Sequence, residues 1–240
     1  MFSRALVCVP MRQHDPIQKL NAHLWRVEGE VPGMSIRRVM TVAKRSDGDL
    51  VIHSGILLSD SEFAELEAWG KPRYLLVPNR FHRLDAAAFR ERYPDLIVLS
   101  PSGSRSAVEK VLPTQGTYED FSPDSIVRVQ TLPGTAGREG VILIRAAEGT
   151  TVVFNDLVMN MDKRTDFMGN LITTLMGSAP GPRISRLSRW ALVKDRVALA
   201  AELERLAALP DLCRLIVSHD KLSEGNASAA ADLRQALAYL

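Results

Sequence analysis

The 240-residue chain predicts an α/β (α+β) fold in which two mixed β-sheets pack together with helices outside. Three observations carry that expectation. Short apolar runs rich in β-branched and aliphatic residues recur along the chain, as buried strands do. Asp47-Gly48 and Glu148-Gly149 each join two such runs, and a glycine between apolar runs marks an antiparallel hairpin. Between and after the hairpins, strands alternate with helical segments. The hairpins make a simple doubly wound sheet a poorer fit.

Leu24-Trp25-Arg26-Val27 is the first candidate strand, and residues 36–43 and 50–53 pair across Asp47-Gly48. Ser59 or Asp60 can cap a helix that carries Phe63, Leu66 and Trp69 on one face and ends at Gly70 and Pro72. Residues 74–77 form a strand, 78–82 a loop and about 85–92 a helix that Pro94 stops; residues 96–99 follow as another strand. The pattern is weaker until Ser125. Residues 125–130 then alternate, and 140–145 and 151–154 flank the second hairpin turn. Residues 157–189 read as an irregular, methionine-bearing excursion, the length of a lid or binding surface. A long helix over about 190–209, a strand over 211–219 and a helix over 227–240 close the chain. No linker divides it, so residues 1–240 are expected to be one domain.

Bulk composition narrows the partners. A net charge of +2 is too small to point to nucleic acid or a membrane surface. Residues 1–10 hold an apolar stretch too short to span a bilayer. Cys8 and Cys213 each sit in apolar sequence and read as buried free thiols, which suits a reducing cytoplasm. No GxSxG elbow, GxxxxGK phosphate loop or HExxH helix is present.

The chemistry concentrates where apolar runs stop. Residues 74–82 end on His82, 151–156 on Asp156 and 214–219 on His219, and ligand sites in helix-covered sheets lie just beyond strand ends. Each residue also has a plainer reading: His82 as a loop histidine, Asp156 as a turn or cap residue, His219 as a surface-turn histidine. His14 and His23 read as structural or solvated, and His53 as a core histidine that can approach the same sheet end. Asn79-Arg80-Phe81-His82-Arg83 is either a solvated loop or an anion clamp. Lys163, Arg164, Arg183, Arg186 and Arg189 add cations in and after the excursion.

In their order, these pieces resemble the metallo-β-lactamase-like superfamily of metallo-hydrolases and oxidoreductases over roughly residues 24–220, and an uncharacterised branch of it with a degraded metal motif most of all. Those proteins have antiparallel strands with an Asp-Gly turn and a small-residue loop, matched here by residues 47–55. A His-x-His-x-Asp-His loop, a Gly-His turn, a strand ending in Asp and a strand ending in His follow. The resemblance implies a four-layer αβ/βα sandwich. With His82 as the last histidine of the loop motif, Val77, Asn79 and Phe81 stand at its other positions. Gly134-Thr135 replaces the Gly-His turn, and His53 replaces the early Asp. Asp156 and His219 match the two strand-end ligands. The resemblance therefore implies that one metal position is lost. The other keeps His82, Asp156 and His219, enough for one Zn, Fe or Mn ion with open positions. Asn79, Arg80, Thr135 and His53 are the residues expected around a substrate. The implied function is a mononuclear metal-dependent hydrolase acting on a small anionic or carbonyl substrate. The alternative is a metal-free, non-catalytic binding module (a pseudoenzyme) that uses the same cleft. A small anionic ligand is the expected partner, without nucleic acid or membrane; a homo-oligomer is compatible with the sequence.

Overall fold

The structure, a computed structural model, describes residues 13–219 and 221–240; Cys8 and the apolar stretch at residues 1–10 lie outside them. Four strands open the described chain as an antiparallel meander: β1 (Gln18–Asn21), β2 (Leu24–Glu30), β3 (Arg37–Lys44) and β4 (Asp49–His53). Gly48 makes the β3–β4 turn with φ of 90°, a conformation that glycine adopts without a Cβ penalty. The chain then crosses over through α1 (Asp60–Trp69) to β5 (Lys71–Leu76), and through α2 (Ala86–Arg92) to β6 (Ile97–Ser100). After the single turn α3 (Arg105–Val108), β7 (Gly116–Thr117) completes a seven-stranded sheet in the order β1 to β7, parallel from β4 onward.

The second sheet is built from β8 (Val127–Thr131), β9 (Gly140–Ala146) and β10 (Gly149–Phe154), antiparallel to one another. Three helices follow: α4 (Phe167–Met176), α5 (Arg186–Leu192) and α6 (Arg196–Ala207). The chain returns as β11 (Leu212–Ile216), parallel to β10, then β12 (Ser223–Glu224) and α7 (Asn226–Leu237). The order is β12-β11-β10-β9-β8.

Both faces of the central strands are buried, so their sequences read as continuous apolar runs rather than clean alternation. The period of two still sorts the side chains. Val51, Leu76 and Leu99 of the first sheet meet Ile142, Ile144, Val153 and Ile216 of the second in a core between the sheets. Leu50, Ile52, Leu75 and Val98 turn the other way, onto Phe63 and Leu66 of α1 and Phe89 of α2. Val141, Val152, Phe154 and Leu215 face Leu199, Leu203 and Leu206 of α6 and Leu233 of α7. These three cores define four layers, helices–sheet–sheet–helices. The α1 face read from the sequence packs as its spacing predicts, with Trp69 stacked on Trp25 of β2 at 4.0 Å. Ser59 caps α1 in a reciprocal box with Glu62, a device typically contributing ~1 kcal/mol.

Two expectations need correction. Residues 157–189 are not irregular throughout: they contain α4, capped by Asp166 and closed by Gly177 in the left-handed conformation, and they run into α5. The apolar side chains of α4 largely face solvent, with Phe167 80% and Leu175 64% exposed, so no core-facing stripe marks this helix. The single long helix at about 190–209 is in fact α5 and α6, broken at Val193–Asp195. Asp195 accepts from Ala198 N as the cap of α6, and the Lys194 and Asp195 amides both donate to the Gly134 carbonyl. A continuous helix would spend those amides internally. Cys213 is a half-buried free thiol on β11. Among the described residues no helix is long and apolar enough to cross a membrane.

Candidate metal centre

Four strands end at the same edge of the sandwich, and the chemistry collects there. β4 delivers His53 and Ser54, β5 leads into the 77–82 loop, β10 ends before Asn155 and Asp156, and β11 leads to Ser218 and His219. The sheets are tied to each other at this edge: Val39 N donates to the Ser218 carbonyl.

His82, Asp156 and His219, distant in sequence, each offer one ligand atom, all within 4.8 Å of one another. His82 Nε2 lies 2.9 Å and His219 Nε2 3.4 Å from the same oxygen, Asp156 Oδ1. The two imidazole centroids are 5.4 Å apart. All three side chains are largely buried.

The surrounding bonds fix how these groups are presented. His219 Nδ1 sits 2.7 Å from the Arg37 carbonyl. A carbonyl only accepts, so this nitrogen carries the proton, and in the neutral ring Nε2 keeps its lone pair. His82 Nδ1 lies 2.8 Å from Ser54 Oγ, a hydroxyl that can accept or donate as the tautomer requires. Ser54 has a left-handed φ of 58°, which is costly outside glycine and sets the hydroxyl at the ring. Asn79 Nδ2 donates to Asp156 Oδ2 at 2.5 Å, while Asn79 Oδ1 accepts from the Phe81 and His82 amides. Ser188 Oγ donates to the Asp156 carbonyl at 2.6 Å.

Charge is balanced locally. Burial pushes the Asp156 carboxyl up, but the charge on His82 and the hydrogen bonds from both imidazoles outweigh it and hold it well below the usual carboxylate range. His53 is 4% exposed; burial, then the nearby His82 charge, lowers its pKa to about 3 despite Asp156, so it is neutral. Glu139 is fully buried under the site, accepting from Asn155 N at 3.0 Å. Burial, then the Asp156 charge, raises its pKa well above the ordinary value, which favours its protonated form.

Comparison with solved structures places this architecture. The DIM-1 metallo-β-lactamase matches at a TM-score of 0.62 and 12% identity, covering 96% of this chain and 97% of that one. A metallo-β-lactamase from Erythrobacter litoralis matches at 0.56 and 14%, covering 91% and 94%. The chain has the metallo-β-lactamase fold. No family model and no curated protein matches the sequence.

Within the metallo-β-lactamase fold, the three expected ligands converge, while the other candidate residues take different places. Val77 and Thr135 are buried and Phe81 is 66% exposed, and none of the three carries an imidazole or a carboxylate. Thr135, expected near a substrate, has no exposed surface and donates its hydroxyl to the Leu132 carbonyl in its own turn. Asn79, expected to orient a substrate, has both ends committed to holding Asp156 and the 79–82 loop. Arg80 is exposed, its guanidinium over the Phe81 ring at 4.6 Å. Asp85 stands at the head of α2 but makes no side-chain cap bond. Its carboxylate instead pairs with buried Arg38 and accepts from Leu57 N, pinning the His82 loop to the first sheet.

Sequence reading missed Ser54, the Arg37 carbonyl, Ser188 and Glu139. Ser54-Gly55 after an apolar strand was a legible signal for a special loop. The others act through backbone groups or from buried positions that no spacing reveals.

Proposed function

We propose that the protein is a mononuclear metal-dependent hydrolase-like enzyme that holds one Zn, Fe or Mn ion on His82, Asp156 and His219 and acts on a small anionic or carbonyl substrate. The observation that supports this reading is the donor set: two imidazoles and one carboxylate within 4.8 Å, each imidazole steered through its other nitrogen by a separate oxygen. That second layer of bonds is what metal-binding histidines require to present Nε2. A two-histidine, one-carboxylate set suits these ions and leaves positions open. A bound ion would polarise a substrate oxygen and lower the pKa of bound water.

The chain's own residues supply the rest. Asn79 engages Asp156 Oδ2 and leaves Oδ1 toward the imidazoles. His53, neutral and buried, keeps the site's charge from rising. Arg80, exposed on the loop edge, can meet an anionic group on an incoming molecule. A carboxylate absent at Phe81 removes one proton acceptor, so turnover is expected to be modest.

The second reading is a metal-free binding module. The 2.9 Å contact of His82 with Asp156 favours it, because these groups already satisfy one another without an ion. Elemental analysis of protein stripped and reloaded with each ion separates the two readings. Near-stoichiometric metal in the wild type that is lost in H219A supports the first, and metal-free protein after reloading supports the second.

A further inference from the structure

Away from the metal centre, a cavity of about 610 Å³ lies against α4, α5 and Tyr239 near the C-terminus. His82, Asp156 and His219 do not line it. Lys163, Arg183, Arg186 and Arg189 do, and among the described residues no carboxylate does. Several other arginines find acids, Arg45 with Asp47, Arg92 with Glu67, Arg214 with Glu224 and Arg234 with Glu204, whereas Arg73, Arg83, Arg90 and Arg138 donate singly to backbone carbonyls; the cavity differs in gathering four such cations in one place. Among the described residues, none of the four cavity cations makes an ion pair. The arginines spend N–H groups only on neutral oxygens. Arg183 donates to the Tyr239 hydroxyl at 3.2 Å, Arg186 to the Leu175 carbonyl at 3.3 Å and Arg189 to the Tyr239 carbonyl at 3.3 Å. Arg183 Nε is buried with no acceptor, and its guanidinium is stacked on the Tyr239 ring at 4.5 Å.

Gathering four like charges in one concave site is unfavourable unless an anion neutralises them. Guanidinium groups fixed by stacking and by single neutral bonds keep their remaining donors for a tetrahedral oxyanion, with the planar fork suited to phosphate. Asn170 and Thr174 of α4 border the same space with neutral polar groups.

We propose that this cavity is a second binding site, for a ligand carrying a multiply charged phosphate group, and that it works independently of the metal centre. The phosphate belongs either to a soluble diphosphate or to a lipid headgroup; α4 and α5 flank the cavity with exposed Phe167, Leu175 and Trp190.

The test is titration calorimetry of the full chain with inorganic pyrophosphate in the presence of a chelator. Saturable binding is expected, unchanged in H219A and weakened about tenfold or more in R186Q/R189Q, since charge-assisted forks to phosphate are lost. Arg186 also bonds the end of α4, so K163Q, which breaks no backbone contact, serves as a second variant with an expected loss of about threefold. Flotation with phosphatidylcholine vesicles, with and without phosphatidate, separates the sources. Phosphatidate-dependent flotation abolished in R186Q/R189Q assigns a lipid headgroup, and pyrophosphate binding without flotation assigns a soluble ligand. Absence of both, or binding unchanged in both cation variants, overturns the proposal.

Discussion

Divalent ion added to chelator-stripped protein should raise its melting temperature, and Asp156→Asn should remove that response. The size follows from linkage. An ion at about 100 times its dissociation constant stabilises the folded state by ~2.7 kcal/mol. In chains of this length each kcal/mol moves the melting point by ~2–4 °C, so the rise is about 5–11 °C. The geometry also sets a pH dependence. His219 keeps its Nδ1 proton on the Arg37 carbonyl, so an ion must take Nε2 in its unprotonated form. Affinity therefore weakens as pH falls. Asp156→Asn keeps the side-chain volume and an acceptor for Asn79 but removes the only carboxylate of the ligand set. In the metal-free protein its cost is that of weakening the charge-assisted bonds that reach Asp156 Oδ1, about 1.5–3 kcal/mol. Scanning calorimetry with zinc, iron and manganese in turn, paired with elemental analysis, is the assay. No shift with any ion and less than about a tenth of an equivalent bound after reloading would refute the metal-site reasoning. A full shift retained in Asp156→Asn would refute the ligand assignment.

Other outcomes follow from the same geometry. Ser54→Ala frees His82 Nδ1 and should weaken metal affinity about 10–100-fold, measured by competition with a chelating dye; unchanged affinity means the hydroxyl does not steer the ring. Arg38→Ala removes Asp85's buried ion pair with Arg38 and should cost about 3–5 kcal/mol in urea unfolding, and a loss below about 1 kcal/mol would show that the pair does not anchor the His82 loop. His53 takes up a proton near 6.5 when unfolded but only near about 3 when folded. Its contribution is therefore intact above pH 6.5 and lost as pH falls toward 3; His53→Gln should flatten that part of the stability curve, and an unchanged slope counts against burial as the cause. Glu139 has the opposite sign. Its folded pKa is raised well above the ordinary 4.5 at which the unfolded chain ionises, so it lowers stability as pH rises from there, and Glu139→Gln should remove that decline in pH-dependent denaturation.

Much of the fold was legible because local chemistry and tertiary role agree. Asp47-Gly48 makes a hairpin wherever it occurs between apolar runs, Ser59 with Glu62 forms a box from adjacent residues, and Phe63, Leu66 and Trp69 share a face by helical spacing alone. Reading failed where tertiary contacts override the local pattern. The α5–α6 break is held by the distant Gly134 carbonyl. α4 carries apolar residues on its exposed surface, so it lacks the signature of a packed helix. Asp85 stands where a helix cap would, at the head of α2, but makes no side-chain cap bond and forms a buried ion pair with Arg38, a partner far along the chain.

The sequence by itself determined the two-sheet architecture and the three residues that carry donor atoms to strand ends, because strand periodicity and side-chain type are properties of the chain. The tertiary structure alone decided that these donors meet on one carboxylate oxygen, which ring nitrogen faces it, and that Asn79 and Thr135 are committed to the scaffold. Those are distances and hydrogen bonds between segments far apart in the chain, and they exist only once both sheets pack.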